Sequence, residues 1–406
     1  MKIQKALRSL VWLLWLLYCP IVTAQIKVDS VFPGSNVKVV RIDNRNNALR
    51  IRSVKKNGDV YQLWFYFGVS GFDSQKPLTL FVEGTSEKML PALPAFSYDK
   101  KNWDRTPGFF KGDGMEYIIR PKGDTLYFAT GYPYLYAQLR QLEQDMAPNA
   151  HVQVSDLTRS EEGRVIKLFR ITDGDIPDPG KALVWILARN HAFESHSNHV
   201  IEGLVRYLAS DDQKAAFLRK NAIVFVVPMM DVDMVERGGS GKDQERGDFN
   251  RNWENPEYWN AIKAVKRKIA ETAATNDLRI FIDSHDPFPG SKETNYGAFF
   301  YSLHNEGGHP KSEKLDFFRN LLRQNGGYRF LRRPSYKTKG MNAASYIDSV
   351  YPHLDIATSM ETGWVNRTDG EEYTIPRYHL HGEIIGKGIS DFIRRSPASG
   401  QESNPK

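Results

Sequence analysis

The sequence predicts an α/β domain built on a mixed sheet, preceded by a small all-β sandwich. Two changes of texture carry that prediction. From residue 25 to about 130, short runs rich in β-branched and aromatic residues alternate with turn residues, with no long helical period. From Tyr134 onward, apolar strand-like runs alternate with amphipathic stretches of helical spacing. The 406 residues suffice for two such domains. Their boundaries are set at 25–133 for the sandwich and 134–395 for the α/β domain.

The first 24 residues belong to neither. Lys2, Lys5 and Arg8 precede the apolar stretch Leu10–Leu17, and Val22-Thr23-Ala24 follows it. This is the pattern of a secretory signal peptide. The apolar run falls short of the roughly 20 residues a spanning helix needs, and Pro20 interrupts it. A cleaved leader, a periplasmic or secreted protein, and no stable membrane insertion after cleavage are expected. Cys19 is the single cysteine. Cleavage removes it, which excludes disulfides, thiol catalysis and cysteine–metal sites. The leader also takes three positive charges and no acid with it, so the formal charge of +7 falls to +4. That balance gives no case for nucleic acid as a partner.

In the sandwich, strands are expected at Val37–Ile42, Val60–Phe67, Leu78–Val82, Met115–Ile119 and Thr125–Ala129, with a turn at 57–59. Tyr134–Met146 has helical spacing. The runs Val165–Ile171, Leu183–Ala188, Ile223–Val227, Leu278–Ile282, Gly297–Leu303 and Asp355–Met360 then read as strands. Helical patterns at Ser195–Ala209, Pro256–Thr275, Lys311–Arg323 and Arg377–Ile393 lie among them. The polar tail 396–406 is expected to be disordered.

Three motifs at strand ends carry chemistry. His191-Ala192-Phe193-Glu194 follows Leu183–Ala188, His285 closes Phe281–His285, and Glu361 closes Thr358–Glu361. Open α/β sheets bind their ligands at the carboxyl ends of strands. Two imidazoles and one carboxylate are the protein ligands of a catalytic zinc whose fourth position is left to water. His191, Glu194 and His285 are therefore candidate ligands of one Zn²⁺ per chain. Glu361 is the candidate base. Taken singly, His-x-x-Glu also fits a polar loop before a helix, and Glu361 a strand-end salt bridge. A fourth string, Asp248-Phe249-Asn250-Arg251-Asn252-Trp253, places an arginine between two amides. Such an arginine can clamp a carboxylate. Asp248 and Asp283 are placed to hold the distal nitrogens of zinc histidines. The glycine-rich stretch Gly238–Gly247 reads as a mobile loop beside the site.

The order of these motifs resembles the zinc metallocarboxypeptidases of the carboxypeptidase A type. It is most similar to the cytosolic carboxypeptidase-like branch, which has bacterial members and an N-terminal β-sandwich. Phe128-Ala129-Thr130-Gly131-Tyr132-Pro133-Tyr134 resembles that branch's aromatic junction. The resemblance implies zinc on His191, Glu194 and His285, with Asp248 behind His191. It implies Asn250 and Arg251 on the substrate's terminal carboxylate and Glu361 as general base and acid toward a zinc-activated water. Peptide or protein C-termini would be the substrates. The chain departs from the pattern at Asp231-Val232-Asp233-Met234, where relatives carry Asn-Pro-Asp-Gly, and at Ala192-Phe193, where they carry Pro-Gly. Gly241 stands where an oxyanion arginine is usual, leaving Lys242, Arg237 or Arg246 as substitutes. Tyr336 and Tyr346 are the candidates for a substrate-facing tyrosine. Two alternatives share the site: a zinc amidase for cell-wall peptides or acylated amino acids, and a catalytically weak binding relative.

Overall fold

The computed structural model describes residues 25–396 except 57, 85, 256–258, 296, 305–307, 327–329, 336–339 and 365–372. The expected leader and nearly all of the expected disordered tail lie outside the described residues. Two sheets are built from β1 (Lys27–Asp29), β2 (Lys38–Asp43), β3 (Ala48–Arg52), β4 (Tyr66–Ser70), β5 (Leu78–Glu83), β6 (Ala95–Ser97), β7 (Trp103–Arg105), β8 (Gly108–Lys111), β9 (Gly114–Ile119) and β10 (Thr125–Ala129). Their orders are β1-β4-β10-β6-β7 and β2-β3-β5-β9-β8, antiparallel except for the parallel pair β3/β5. Along β5, Leu78, Leu80 and Val82 are buried while Thr79, Phe81 and Glu83 are half-buried. That period of two is what a sheet with one core face requires. With Phe67, Val69 and Phe128 these residues fill the sandwich core.

The expected strand at Val60–Phe67 starts only at Tyr66. The backbone donors before it are taken elsewhere: Leu63 N donates to Ser240 Oγ at 2.9 Å and Phe65 N to Thr130 Oγ1 at 2.7 Å. Leu63, Trp64 and Tyr66 instead share an apolar cluster with Phe193 and Trp364 of the second domain.

After helix α1 (Tyr136–Met146), a mixed sheet holds β11 (Val152–Arg159), β12 (Val165–Ile171), β13 (Ala182–Ala188), β14 (Ala222–Val227), β15 (Leu278–His285), β16 (Ala298–Ser302), β17 (Phe330–Pro334) and β18 (Ile356–Thr362). The order is β11-β12-β14-β13-β15-β18-β16-β17. The central run β14-β13-β15-β18 is parallel. β13, β14 and β15 are buried along their whole length, as expected of parallel strands covered on both faces. Chain order reverses beside β13, with β14 on one side and β15 on the other. That crevice is where such sheets bind ligands. The helices are α2 (Ser195–Leu208), α3 (Gln213–Asn221), α4 (Val232–Arg237), α5 (Asn260–Ala273), α6 (Pro310–Gly326), α7 (Ala343–Val350) and α8 (Ile375–Arg395). α8 packs against α2, α3 and α6. β11 escaped the sequence reading because it is an edge strand, mostly half-buried or exposed, with few apolar positions. No helix of the described residues is long and apolar enough to cross a membrane.

Candidate metal centre and active site

β13 ends at Ala188, and Arg189 then turns the chain through a φ of 62°, a region bulky residues seldom adopt. Its buried guanidinium holds the turn. Nε donates to Ala192 O at 2.8 Å and Nη1 to Asn198 Oδ1 at 2.7 Å. The turn delivers His191 and Glu194 immediately ahead of α2. β15 runs beside β13 to His285, and the register of β15 with β18 sets His285 opposite Glu361. Three adjacent strand ends therefore converge.

The donor atoms face one another. His191 Nδ1 is 2.7 Å from Glu194 Oε1, and His285 Nδ1 is 2.8 Å from Glu194 Oε2. One donor from each residue lies within 4.8 Å of the other two, and all three residues are buried. The distal nitrogens meet carboxylates. His191 Nε2 is 2.9 Å from Asp248 Oδ1, and His285 Nε2 is 2.7 Å from Asp283 Oδ2. A carboxylate at Nε2 keeps the proton there and leaves the Nδ1 lone pair for a metal. Two inward lone pairs and one carboxylate fit zinc with an open position. Asp283 also accepts Asn190 Nδ2 at 2.6 Å, which ties the two ligand-bearing segments together.

Asp286 had no assigned role in the sequence, and the fold gives it one. Its oxygens accept the backbone N–H of His196 at 2.8 Å and of Ser197 at 2.9 Å. Those are the orphan donors at the start of α2, whose N-cap Glu194 makes no side-chain cap. Asp286 caps the helix, so the Glu194 carboxylate stays with the histidines.

The charges are set by burial and by each other. Burial would raise Glu194, but His191 and His285 outweigh it and hold the carboxyl at about 2. Glu361 is pushed up to about 7 by burial, with His285 opposing and Glu194 adding to the rise. Its Oε2 is buried and hydrogen-bonds to none of the described residues. A carboxyl near neutrality without a fixed partner is suited to moving protons.

A cleft of about 200 Å³ opens over the triad, with Phe193, Phe288, Tyr301, Arg251, Lys242 and Glu361 in its wall. Arg251 donates through Nη1 to Asn250 O at 2.7 Å, and no described carboxylate pairs with it. Asn250 also lines the cleft. Its Oδ1 accepts Ala343 N at 2.8 Å and its Nδ2 lies 2.8 Å from His285 Nε2.

Of the three cations considered for the oxyanion position, Lys242 alone lines this cleft. Its Nζ is 3.0 Å from His191 Nε2 and 3.2 Å from Asp248 Oδ2. Arg237 pairs with Glu162, and Arg246 lies over Trp259 near Glu161. Tyr346 packs on Trp253 beneath Lys266, away from the cleft, and Tyr336 lies outside the described residues. Tyr301 is the tyrosine in the wall. It was missed because only the pairing of β16 with β18 brings it there.

The first part of the expected mobile loop is clamped. Asp59 of the sandwich accepts Ser240 N at 2.7 Å and Gly241 N at 3.1 Å, and Asn36 donates to Gly238 O at 2.7 Å. On the other side Phe193 N donates to Ser240 O at 3.1 Å. Gly241 has a φ of 69°, and a Cβ there would lie 2.5 Å from Ala192 N. Its glycine serves close approach to the ligand turn.

Comparison with known proteins agrees with this geometry. Residues 135–281 match the zinc carboxypeptidase family, and residues 28–130 match the cytosolic carboxypeptidase N-terminal domain. The chain thus carries a zinc carboxypeptidase domain behind a cytosolic carboxypeptidase N-terminal domain. Zinc is this family's metal. The zinc carboxypeptidase match stops short of His285 and Glu361, whose places rest on the sheet register. Cytosolic carboxypeptidase 6 of Caenorhabditis elegans is 27% identical over 64% of this chain and 59% of its own length. Cytosolic carboxypeptidase 1 of Mus musculus is 26% identical over 64% of this chain and 25% of its own length. The chain thus spans less than two thirds of these relatives. A metallo-carboxypeptidase structure from Burkholderia cenocepacia superposes with a TM-score of 0.80 at 21% identity, covering 91% of this chain and 99% of that one. The chain shares that fold across both domains.

Proposed function

We propose that this protein is a zinc-dependent metallocarboxypeptidase that hydrolyses the C-terminal peptide bond of peptides or proteins. The observation carrying the reading is the alignment of Glu361 with His285 across β15 and β18, beside a cleft that also presents Arg251. His191, Glu194 and His285 would hold the zinc, which when bound would supply an activated water and polarise the scissile carbonyl. Arg251 pairs with the substrate's terminal carboxylate, and Asn250 is fixed beside it. Glu361, ionised, takes the proton of the attacking water and then delivers it to the leaving amine. Lys242 brings a positive charge to the same wall, balanced by Asp248. Phe193 and Phe288 keep that wall apolar. The test is release of the C-terminal amino acid from N-terminally blocked peptides. Turnover by the wild type, lost in Glu361→Gln with zinc retained, is expected. Turnover unchanged in Glu361→Gln would sink the reading.

We further propose that it acts outside the cytoplasm, on the composition of residues 1–24. Fractionation is expected to find a periplasmic or secreted form that begins near Gln25. A cytoplasmic form retaining Met1 would overturn this.

A further inference from the structure

Helix α2 carries a second His-x-x-Glu pair, His199 and Glu202, eight residues after the first. Residues three apart lie on one helical face. α8 crosses that face at close range. A Cβ on Gly203 would lie 2.2 Å from His379 O, and one on Gly382 would lie 2.1 Å from Val200 O. The glycines therefore permit an approach that brings His379 to the pair. One donor atom from each of His199, Glu202 and His379 lies within 4.8 Å of the other two.

The hydrogen bonding of this cluster is unfinished. His199 is only 5% exposed, and among the described residues its Nε2 has no hydrogen-bond partner. His379 Nε2, itself buried, has none among them either. The His199 ring donates toward the backbone carbonyls of Tyr132 and Pro133. With that proton on Nδ1, Nε2 keeps a lone pair inside the cluster. Buried nitrogens without partners call for a bound group, because an unsatisfied polar atom is costly in the interior. Glu202 is already oriented. Its Oε1 accepts Arg206 Nε at 2.9 Å, and the Tyr134 hydroxyl bonds to the carboxylate. Arg206 is itself shared with Asp145 at 2.6 Å, so its charge is not left to oppose a cation alone. A cleft of about 300 Å³, with His379 and Arg206 in its wall, provides the way in.

We propose that His199, Glu202 and His379 form a second divalent-metal site that takes zinc through two imidazoles and one carboxylate. It joins α2 to α8 and does not depend on the peptidase reading. It revises the expectation of one zinc per chain. The test uses the untagged full-length protein, stripped with a chelator and titrated with Zn²⁺, the bound metal being counted after gel filtration. Two equivalents are expected in the wild type and one in His379→Gln or Glu202→Gln, with C-terminal hydrolysis unchanged by either substitution. One equivalent in the wild type at saturating zinc overturns the site. A second equivalent that persists in both variants also overturns it, because it marks adventitious surface binding. Should the variants fail to fold, anomalous scattering from zinc-loaded wild-type crystals decides, by a peak between α2 and α8 or its absence.

Discussion

Two His-x-x-Glu pairs stand eight residues apart in this chain, and the fold treats them differently. His191 and Glu194 sit in a turn where β13, β15 and β18 end together, so His285, the third candidate ligand, and the buried carboxyl of Glu361 arrive on neighbouring strands. Each distal imidazole nitrogen there meets a carboxylate. His199 and Glu202 sit within α2, and their third partner comes from one crossing helix. The first pair lies in the wall of a cleft with Arg251 and Lys242, whereas the second lies between two helices. The same spacing thus has a buried carboxyl and a cleft-lining arginine beside it only at the first pair.

The largest effect that separates the pairs is expected from Glu361→Gln. Turnover should fall by about 10²–10⁴ with metal content unchanged, as read by single-turnover kinetics and metal analysis. A parallel loss of metal would mean Glu361 holds the ion rather than moving a proton. Asp248→Asn is expected to weaken zinc at the first pair by about 10–100-fold, leaving the second pair untouched. Competition with a chromophoric chelator measures this, and equal affinity in the variant would remove Asp248 from the centre. Gly203→Ala should act on the second pair. The added methyl collides with the backbone of His379 and should cost about 1–3 kcal/mol of stability, together with zinc binding between α2 and α8. Chemical denaturation and zinc counting report both, and unchanged stability would show that the crossing is not tight.

The smallest effect concerns the loop that braces the first pair. Burial pushes Asp59 up to about 6, although the N–H groups of Ser240 and Gly241 bond to it. A carboxyl whose folded pKa lies above its unfolded value binds its proton more tightly when folded. Its contribution is therefore fully present at low pH and declines as pH rises from about 4 through about 6. Asp59→Asn should flatten that decline in urea-denaturation midpoints. Identical pH profiles for variant and wild type would show that Asp59 does not titrate as it holds the loop.

The sequence by itself determined a good deal. Periodicity set the two-domain plan and most of the central strands, because β13 and β14 are continuous apolar runs that a doubly covered sheet can bury. Spacing and strand-end position picked out His191, Glu194, His285 and Glu361, since chemistry at the end of a buried strand leaves polar residues where packing alone would not put them. Tertiary structure decided the rest. Strand register placed Glu361 opposite His285 and brought Tyr301 into the wall. Packing of the sandwich against the second domain clamped Gly238–Gly241 and left Lys242, rather than Arg237 or Arg246, beside the metal centre. The helix crossing at Gly203 and Gly382 joined His379 to His199, 180 residues earlier in the chain, and to Glu202. These are contacts between residues distant in sequence, and local pattern reports only which face of an element is apolar, not which element will cover it.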